Sequence, residues 1–154
     1  MSNNKKFIYI FLGTIFLIAV LFRFINLSSH PAGFHIDEAS LGYNGYSLLL
    51  TGKDDNGNSW PLYIDMFGDN RPSGYHYLTI LPIKFLGLTE FATRLPAALF
   101  GSMIVIAVYV FTYVLFKSKK ISLLSALLTA IAPWSFVLSR ASAEVTISLF
   151  FIFF

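Results

Sequence analysis

Long apolar runs separated by short polar segments make up most of this chain. The runs cover residues 7–25, 97–116 and 121–138, and another begins at residue 145. A helix needs about 20 apolar residues to cross the hydrocarbon core of a bilayer. The pattern therefore predicts membrane-crossing helices at 7–25, 97–116 and 121–138, and a further, truncated one from residue 145.

The first run begins with Lys5 and Lys6, a basic start that a signal peptide would share. A signal peptide also ends in a cleavage site with small residues, and residues 23–27 (RFINL) do not provide one. The run is therefore predicted to be an uncleaved anchor whose lysine-flanked end is cytoplasmic. Arg23, near its far end, is expected to extend its side chain to the outer interface.

The region between the first two runs, residues 26–96, contains two stretches with helical periodicity, near 37–51 and 75–88. The first has a polar stripe formed by Ser40, Asn44, Ser47 and Thr51. The second has an apolar side, assigned to lipid, formed by Tyr75, Leu78, Leu81, Phe85 and Leu86. Both are predicted to be amphipathic helices that lie on the membrane. Residues 54–58 and 68–72 have the composition of turns and are predicted to be loops.

The topology follows from the lysine-rich segment at residues 117–120 (KSKK), which should be cytoplasmic by the positive-inside rule. An odd number of crossings must then separate this segment from the outward end of the first helix. The run 97–116 supplies one crossing, so 75–88 is not a second. By this count, residues 26–96 form an outer loop and the run 121–138 leads outward again.

The composition also indicates a membrane protein with several crossings. Fifty-six per cent of residues are apolar and 12% are charged, whereas soluble domains carry roughly 25% charged residues. Residues 28–73 hold six acids against two bases, a net charge of −4, although the chain as a whole is at +3. With this separation of charge, the basic balance does not indicate nucleic-acid binding. The prediction is an all-α polytopic integral membrane protein with an extracytoplasmic first loop that bears two juxtamembrane helices.

Four charged residues face the outer compartment in this topology: Asp37, Glu38, Arg71 and Glu144. Each also has a structural explanation. Asp37 could cap a helix and Glu38 could favour its dipole, while Arg71 could be a loop cation and Glu144 could begin the next helix. His35 beside the two acids could ligate a metal, but no partner cluster accompanies them. Phosphate-binding glycine loops and the common hydrolase motifs are absent from the sequence.

The order of several segments resembles a known family. After the apolar anchor come HIDEASLGYNGYSLLLTGKDDNGNSWPLY, FGDNRPSGYHYL, GLTEFATRLPAALFG and APWSFVLSRASAE. Together they look like the start of GT-C membrane glycosyltransferases, the relatives of protein O-mannosyltransferases and of the lipid A aminoarabinose transferase. The resemblance covers residues 7–154 and implies that the chain is the N-terminal part of such an enzyme.

The resemblance implies an inverting transfer of a sugar from a polyprenyl-phosphate donor to a hydroxyl of a protein, lipid or glycan. Asp37 matches the family's general base, with Glu38 beside it. Arg71 stands before Pro72 where the family often has Lys-Pro, and it would contact the donor phosphate. Further site candidates are Glu144, Arg94, His35 and Tyr43. No cofactor is required on this reading, although a divalent metal is not excluded.

Two other readings stay open at this point. One is a non-enzymatic transporter or lipid-carrier flippase subunit, in which outer acids bind or gate an ion or head group. The other is an inactive remnant of the enzyme. The expected location is the plasma (inner) membrane of a prokaryote, with a cytoplasmic N-terminus. The sugar and the acceptor class are left open by the sequence.

Overall fold

A computed structural model describes residues 2–153, with side chains from residue 6 onward. The side chain of Lys5, and Phe154 in the last predicted span, lie outside the described residues. The elements are α1 (Ser2–Phe24), α2 (Ile36–Thr51), β1 (Tyr63–Met66), β2 (Asp69–Pro72), α3 (Gly74–Leu86), α4 (Glu90–Phe116), α5 (Lys119–Ile131), α6 (Pro133–Leu138) and α7 (Glu144–Phe153). The predominance of helix is as predicted, but "all-α" is wrong because β1 and β2 form an antiparallel hairpin.

The chain divides into two compact units. The terminal unit consists of Met1–Ile25 together with Ala97–Phe154, and the central unit is Asn26–Pro96. The bounds of the central unit are those of the segment that the hydropathy pattern leaves between the first two long apolar runs.

Two helices are long and apolar enough to cross a membrane. They are Lys6–Phe24 within α1 and the whole of α4, Glu90–Phe116. Helix α4 begins seven residues before the predicted start of the span at 97. Its first turn is held by the Thr89 hydroxyl, which accepts a hydrogen bond from the backbone N–H of Ala92 at 3.1 Å. The helix therefore forms ahead of Pro96 and continues through it.

Small side chains allow close helix packing inside the terminal unit. Ala19 of α1 lies in one buried cluster with Ala126 and Ala130 of α5, together with Ile15 and Val105. Small residues at helix interfaces bring the backbones together, which is how helices associate where no hydrophobic effect drives them. Alanines thus provide much of the contact between α1 and α5.

The predicted single helix over 121–138 is divided in the structure. Helix α5 ends at Ile131, Ala132 is extended (φ −61°, ψ 122°), and α6 starts at Pro133. Proline disfavours helical geometry in the residue before it, which accounts for the break. The 13 residues of α5 rise only about 20 Å, less than the roughly 30 Å of a bilayer core.

Arg23 is buried inside the terminal unit and does not extend to an interface, so that expectation was wrong. Its side chain is 0% exposed. It donates to the carbonyls of Ala19 and Ala130 at 3.2 and 3.4 Å and to the hydroxyl of Ser135 at 3.1 Å. No local sequence pattern indicates these partners, because two of the three lie more than 100 residues away along the chain.

In the central unit, α2 and α3 pack against each other. Gly45 of α2 lies against Thr79 and the backbone of His76, so the helices approach where α2 has no side chain. The assignment of Tyr75 to the lipid-facing side was wrong, since Tyr75 is 3% exposed and its hydroxyl donates to the carbonyl of Thr93 at 2.9 Å.

The hairpin replaces the loop predicted at 68–72. Its register pairs Ile64 with Arg71, and Ile64 and Met66 are buried while Tyr63 and Asp65, which alternate with them, are exposed. Phe67 and Gly68 form the turn, both with positive φ (58° and 86°). This geometry belongs to the two-residue turns that join antiparallel strands. Arg71 is therefore held on a strand.

Candidate functional site

The N-terminus of α2 is capped by His35, and Asp37 does not serve as the cap. The imidazole Nδ1 of His35 accepts a hydrogen bond from the backbone N–H of Asp37 at 3.2 Å. In return, the backbone N–H of His35 donates to Oε2 of Glu38 at 3.2 Å. This reciprocal arrangement is a capping box, here with histidine in the usual serine or threonine position. It provides hydrogen-bond acceptors for backbone N–H groups at the start of the helix without using the carboxylate of Asp37.

Asp37 instead faces the β-hairpin. Its Oδ2 lies 3.4 Å from Nη1 of Arg71, and Nε of Arg71 donates to Oδ2 of Asp69 at 3.1 Å. The Asp37 and Arg71 side chains are 36% and 31% exposed, so the pair remains accessible from solvent. Two residues that are 34 positions apart in sequence thus form one acid–base pair at the surface of the central unit.

Glu38, the neighbour of Asp37, has the opposite environment. It is 2% exposed and binds the guanidinium of Arg94 through both oxygens, at 2.9 Å to Nε and 3.0 Å to Nη2. Together with the capping bond, these contacts occupy its carboxylate. Two-pronged carboxylate–arginine pairs are strong and fix geometry.

Arg94 also organises the chain before α2. It is fully buried and donates to the carbonyls of Leu27 at 3.0 Å, Ser28 at 3.4 Å and Gly33 at 2.8 Å. Its guanidinium additionally lies 3.3 Å from the carboxylate of Glu90. Arg94 thereby fixes the approach to His35 and the N-terminus of α2, where Asp37 is located.

Part of this arrangement lies in a segment that matches a known protein family. The sequence model of the family described as Dolichyl-phosphate-mannose-protein mannosyltransferase matches residues 63–154. The chain belongs to this family. The resemblance to GT-C membrane glycosyltransferases is thus confirmed at the level of the family. No curated protein and no solved structure gives a match.

Membership in the mannosyltransferase family makes this a membrane-integral glycosyltransferase chain, in line with its two apolar helices. The matched segment contains Arg71, Arg94 and Glu144. The acids Asp37 and Glu38 precede it, so their assignment depends on the quoted motifs and on the geometry.

The remaining candidates are His35, Tyr43 and Glu144. His35 is close, with Nδ1 at 3.8 Å from Oδ2 of Asp37 and a side chain that is 70% exposed. Tyr43 is 53% exposed on the outward face of α2. Glu144 is the first residue of α7 and belongs to the terminal unit. Among residues 2–153, no group of three or more metal-ligating side chains is present.

Sequence reasoning missed two residues beside the pair. Asp69 binds Arg71. The two residues are two positions apart on β2, so their side chains lie on one face of the strand, and recognising the strand would have indicated this contact. His76 is 0% exposed. Its pKa is lowered to about 4, chiefly by burial; the charge of Arg71 also lowers the pKa, while the Ser73 backbone and Asp54 raise it. A neutral imidazole therefore lies near Arg71.

Proposed function

We propose that this mannosyltransferase-family chain carries, on its central unit, part of an active site that transfers mannose from a polyprenyl-phosphate donor to an acceptor hydroxyl with inversion. The observation that supports this proposal is the accessible pair of Asp37 and Arg71, with 3.4 Å between Oδ2 and Nη1. The family description, with its lipid-phosphate mannose donor and protein acceptor, supports a protein hydroxyl as the acceptor.

Each member of the pair has the chemistry that one half of the reaction needs. The acceptor oxygen attacks C1 of the sugar, the bond from C1 to the phosphate oxygen breaks, and Asp37 takes the hydroxyl proton as general base. Arg71 stabilises the negative charge that develops on the departing phosphate. Arginine suits this role because its planar guanidinium donates two parallel hydrogen bonds to phosphate. One base suffices for inversion, since no sugar–enzyme intermediate forms.

The contact between Asp37 and Arg71 must open for the two groups to act together. In an inverting reaction the nucleophile and the leaving group lie on opposite faces of the sugar carbon, so the base and the phosphate-binding cation cannot remain at 3.4 Å. Asp37 is anchored on α2, whereas the long side chain of Arg71 rotates about several bonds. Arg71 is therefore the partner that moves, exchanging one carboxylate for the donor phosphate and leaving Asp37 open to the acceptor.

Glu38 and Arg94 have positioning roles in this proposal. Since the oxygens of Glu38 are occupied by Arg94 and by the capping N–H, Asp37 is the better candidate for the base. The buried pair holds the start of α2, and thereby Asp37, in place. Glu144 belongs to the terminal unit and stays a prediction from the sequence, and no metal has a role in the steps described.

The test is Asp37→Asn in the full-length protein, assayed as transfer of labelled mannose from polyprenyl-phosphate mannose in membranes. General-base catalysis contributes about 10²- to 10⁴-fold, so the rate constant for transfer should fall by at least about 100-fold with little change in donor affinity. Arg71→Ala should weaken donor affinity, and Arg71→Lys should restore part of it.

The matched control is Asp55→Asn, the same change at an exposed acid of the same unit, which should transfer mannose at the unchanged rate. If Asp37→Asn folds normally and transfers mannose at a rate close to that of the unchanged chain, Asp37 is not the base.

A further inference from the structure

Four large apolar side chains are exposed in and just before the β-hairpin. Trp60, Leu62, Tyr63 and Phe67 are 57%, 80%, 62% and 70% exposed. Single exposed apolar residues are normal on any protein, but these four fall within eight consecutive positions. Ile64 and Met66, on the other face of β1, are buried, so the hairpin is packed on one side, and its exposed side carries Tyr63 together with Asp65.

Phe67 is unusual for its position in the turn. Its φ is 58°, followed by 86° at Gly68, and turns of this kind favour Asn-Gly. Bulky residues rarely adopt positive φ. The turn is already fixed by Asp65, whose Oδ1 accepts a hydrogen bond from the N–H of Gly68 at 2.7 Å. An exposed phenyl ring adds nothing to this geometry, and a residue that breaks a local rule in this way indicates a role outside the fold.

The connectivity of the chain indicates which binding partner lies close to the hairpin. The central unit begins at Asn26, two residues after the apolar helix that ends at Phe24, and its last residues belong to α4, the second apolar helix. Both ends of the unit are therefore attached to helices long enough to cross a membrane. Tryptophan and tyrosine are the residues that concentrate at membrane–water interfaces.

We infer that the hairpin apolar set (Trp60, Leu62, Tyr63 and Phe67) rests in the interface of the lipid bilayer, with Phe67 as its tip. Asp65 and Asp69 on the same hairpin disfavour anionic lipid, so neutral lipid is the partner and the contact is apolar. The lipid contact does not depend on the proposed transfer reaction. If that reaction is also correct, the contact sets the height of Arg71, on β2, at the level of lipid phosphates.

The chain has no cysteine, so single nitroxide labels can test the contact directly. Phe67→Cys and Leu62→Cys report on the hairpin, and Asn56→Cys, in an exposed turn of the same unit, is the matched control. The labelled full chain is placed in phosphatidylcholine vesicles, and the collision rates of each label with oxygen and with a water-soluble nickel chelate are measured. The ratio of oxygen to nickel collisions should be several-fold higher at 62 and 67 than at 56.

Equal ratios at the three positions would overturn the inference. So would a ratio at 67 that rises only when an acceptor peptide is added, since the hairpin would then bind acceptor and not lipid. A second variant separates lipid contact from folding. Phe67→Asn improves the turn sequence, so the hairpin should stay folded while a label at position 62 becomes several-fold more accessible to nickel. An unchanged label at position 62 in that variant would also contradict the role of Phe67.

Discussion

Asp37 and Glu38 are adjacent in sequence and have opposite surroundings in the structure. Successive residues of a helix are turned by about 100° from each other, so one carboxylate faces Arg71 near the surface and the other faces the buried guanidinium of Arg94. The acid pair and its helical context were readable from the sequence. Which acid is accessible was not, because that depends on Arg94, which lies 56 residues beyond Glu38.

His76 leads to a prediction about pH. Its pKa is lowered from 6.5 to about 4, chiefly by burial, so the unfolded chain takes up a proton at a higher pH than the folded one. The neutral imidazole makes its full contribution to the free energy of unfolding above about pH 6.5, and this contribution is lost as the pH falls toward 4. The loss should approach about 3 kcal/mol. Unfolding free energy measured from pH 7 to pH 4.5 should therefore fall less steeply for His76→Asn.

The matched control for this measurement is His30→Asn, which removes an exposed histidine from the same unit. If His76→Asn and His30→Asn have the same dependence of unfolding free energy on pH, protonation of His76 is not coupled to folding.

At the scale of elements, the contact of α2 with α3 is limited by Gly45. A methyl group there would meet the hydroxyl of Thr79, the backbone oxygen of His76 at 3.2 Å and Cδ1 of Ile83 at 3.3 Å. Gly45→Ala should therefore lower the unfolding free energy by about 1–3 kcal/mol, even though alanine favours helix over glycine by about 1 kcal/mol. Thermal or denaturant unfolding of the purified chain measures this change.

Two further variants test the cause. Gly74→Ala in α3 places the same methyl group in open space and should be neutral or stabilising. Thr79→Ala combined with Gly45→Ala should recover part of the loss. A Gly45→Ala chain as stable as Gly74→Ala would show that the helices do not depend on this close approach.

The helices were more predictable than the hairpin and the helix break. The periodicity near 37–51 and 75–88 located α2 and α3 to within two residues at each end. Both segments are long enough for polar and apolar residues to recur with the period of a helix. Residues 69–72 (DNRP) have the composition of a turn, yet they form β2, and their pairing with β1 is a tertiary contact. Pro133 was a sequence signal for the break after Ile131, but the prediction of a single helix followed the length of the apolar run.

At the scale of the whole molecule, the proposed reaction requires the central unit to lie on the outer side of the membrane and residues 117–120 on the cytoplasmic side. Single cysteines test this, with Asn56→Cys in the central unit and Ser118→Cys between the lysines, which leaves all three lysines in place. An impermeant maleimide added to intact cells should label position 56 at once and position 118 only after permeabilisation. The reverse labelling pattern, or labelling of both positions in intact cells, contradicts the topology.

The bonds of Arg94 also have a consequence for biosynthesis. The carbonyls that it binds belong to Leu27, Ser28 and Gly33, which lie 67, 66 and 61 residues earlier in the chain. At about 5–20 residues per second, a ribosome needs roughly 3–13 s to reach Arg94 after passing these residues. During that interval the first helix is already made, and the segment after it lacks the side chain that fixes its course. The start of α2, and with it Asp37, therefore reaches its final position only when the second long apolar helix begins to emerge.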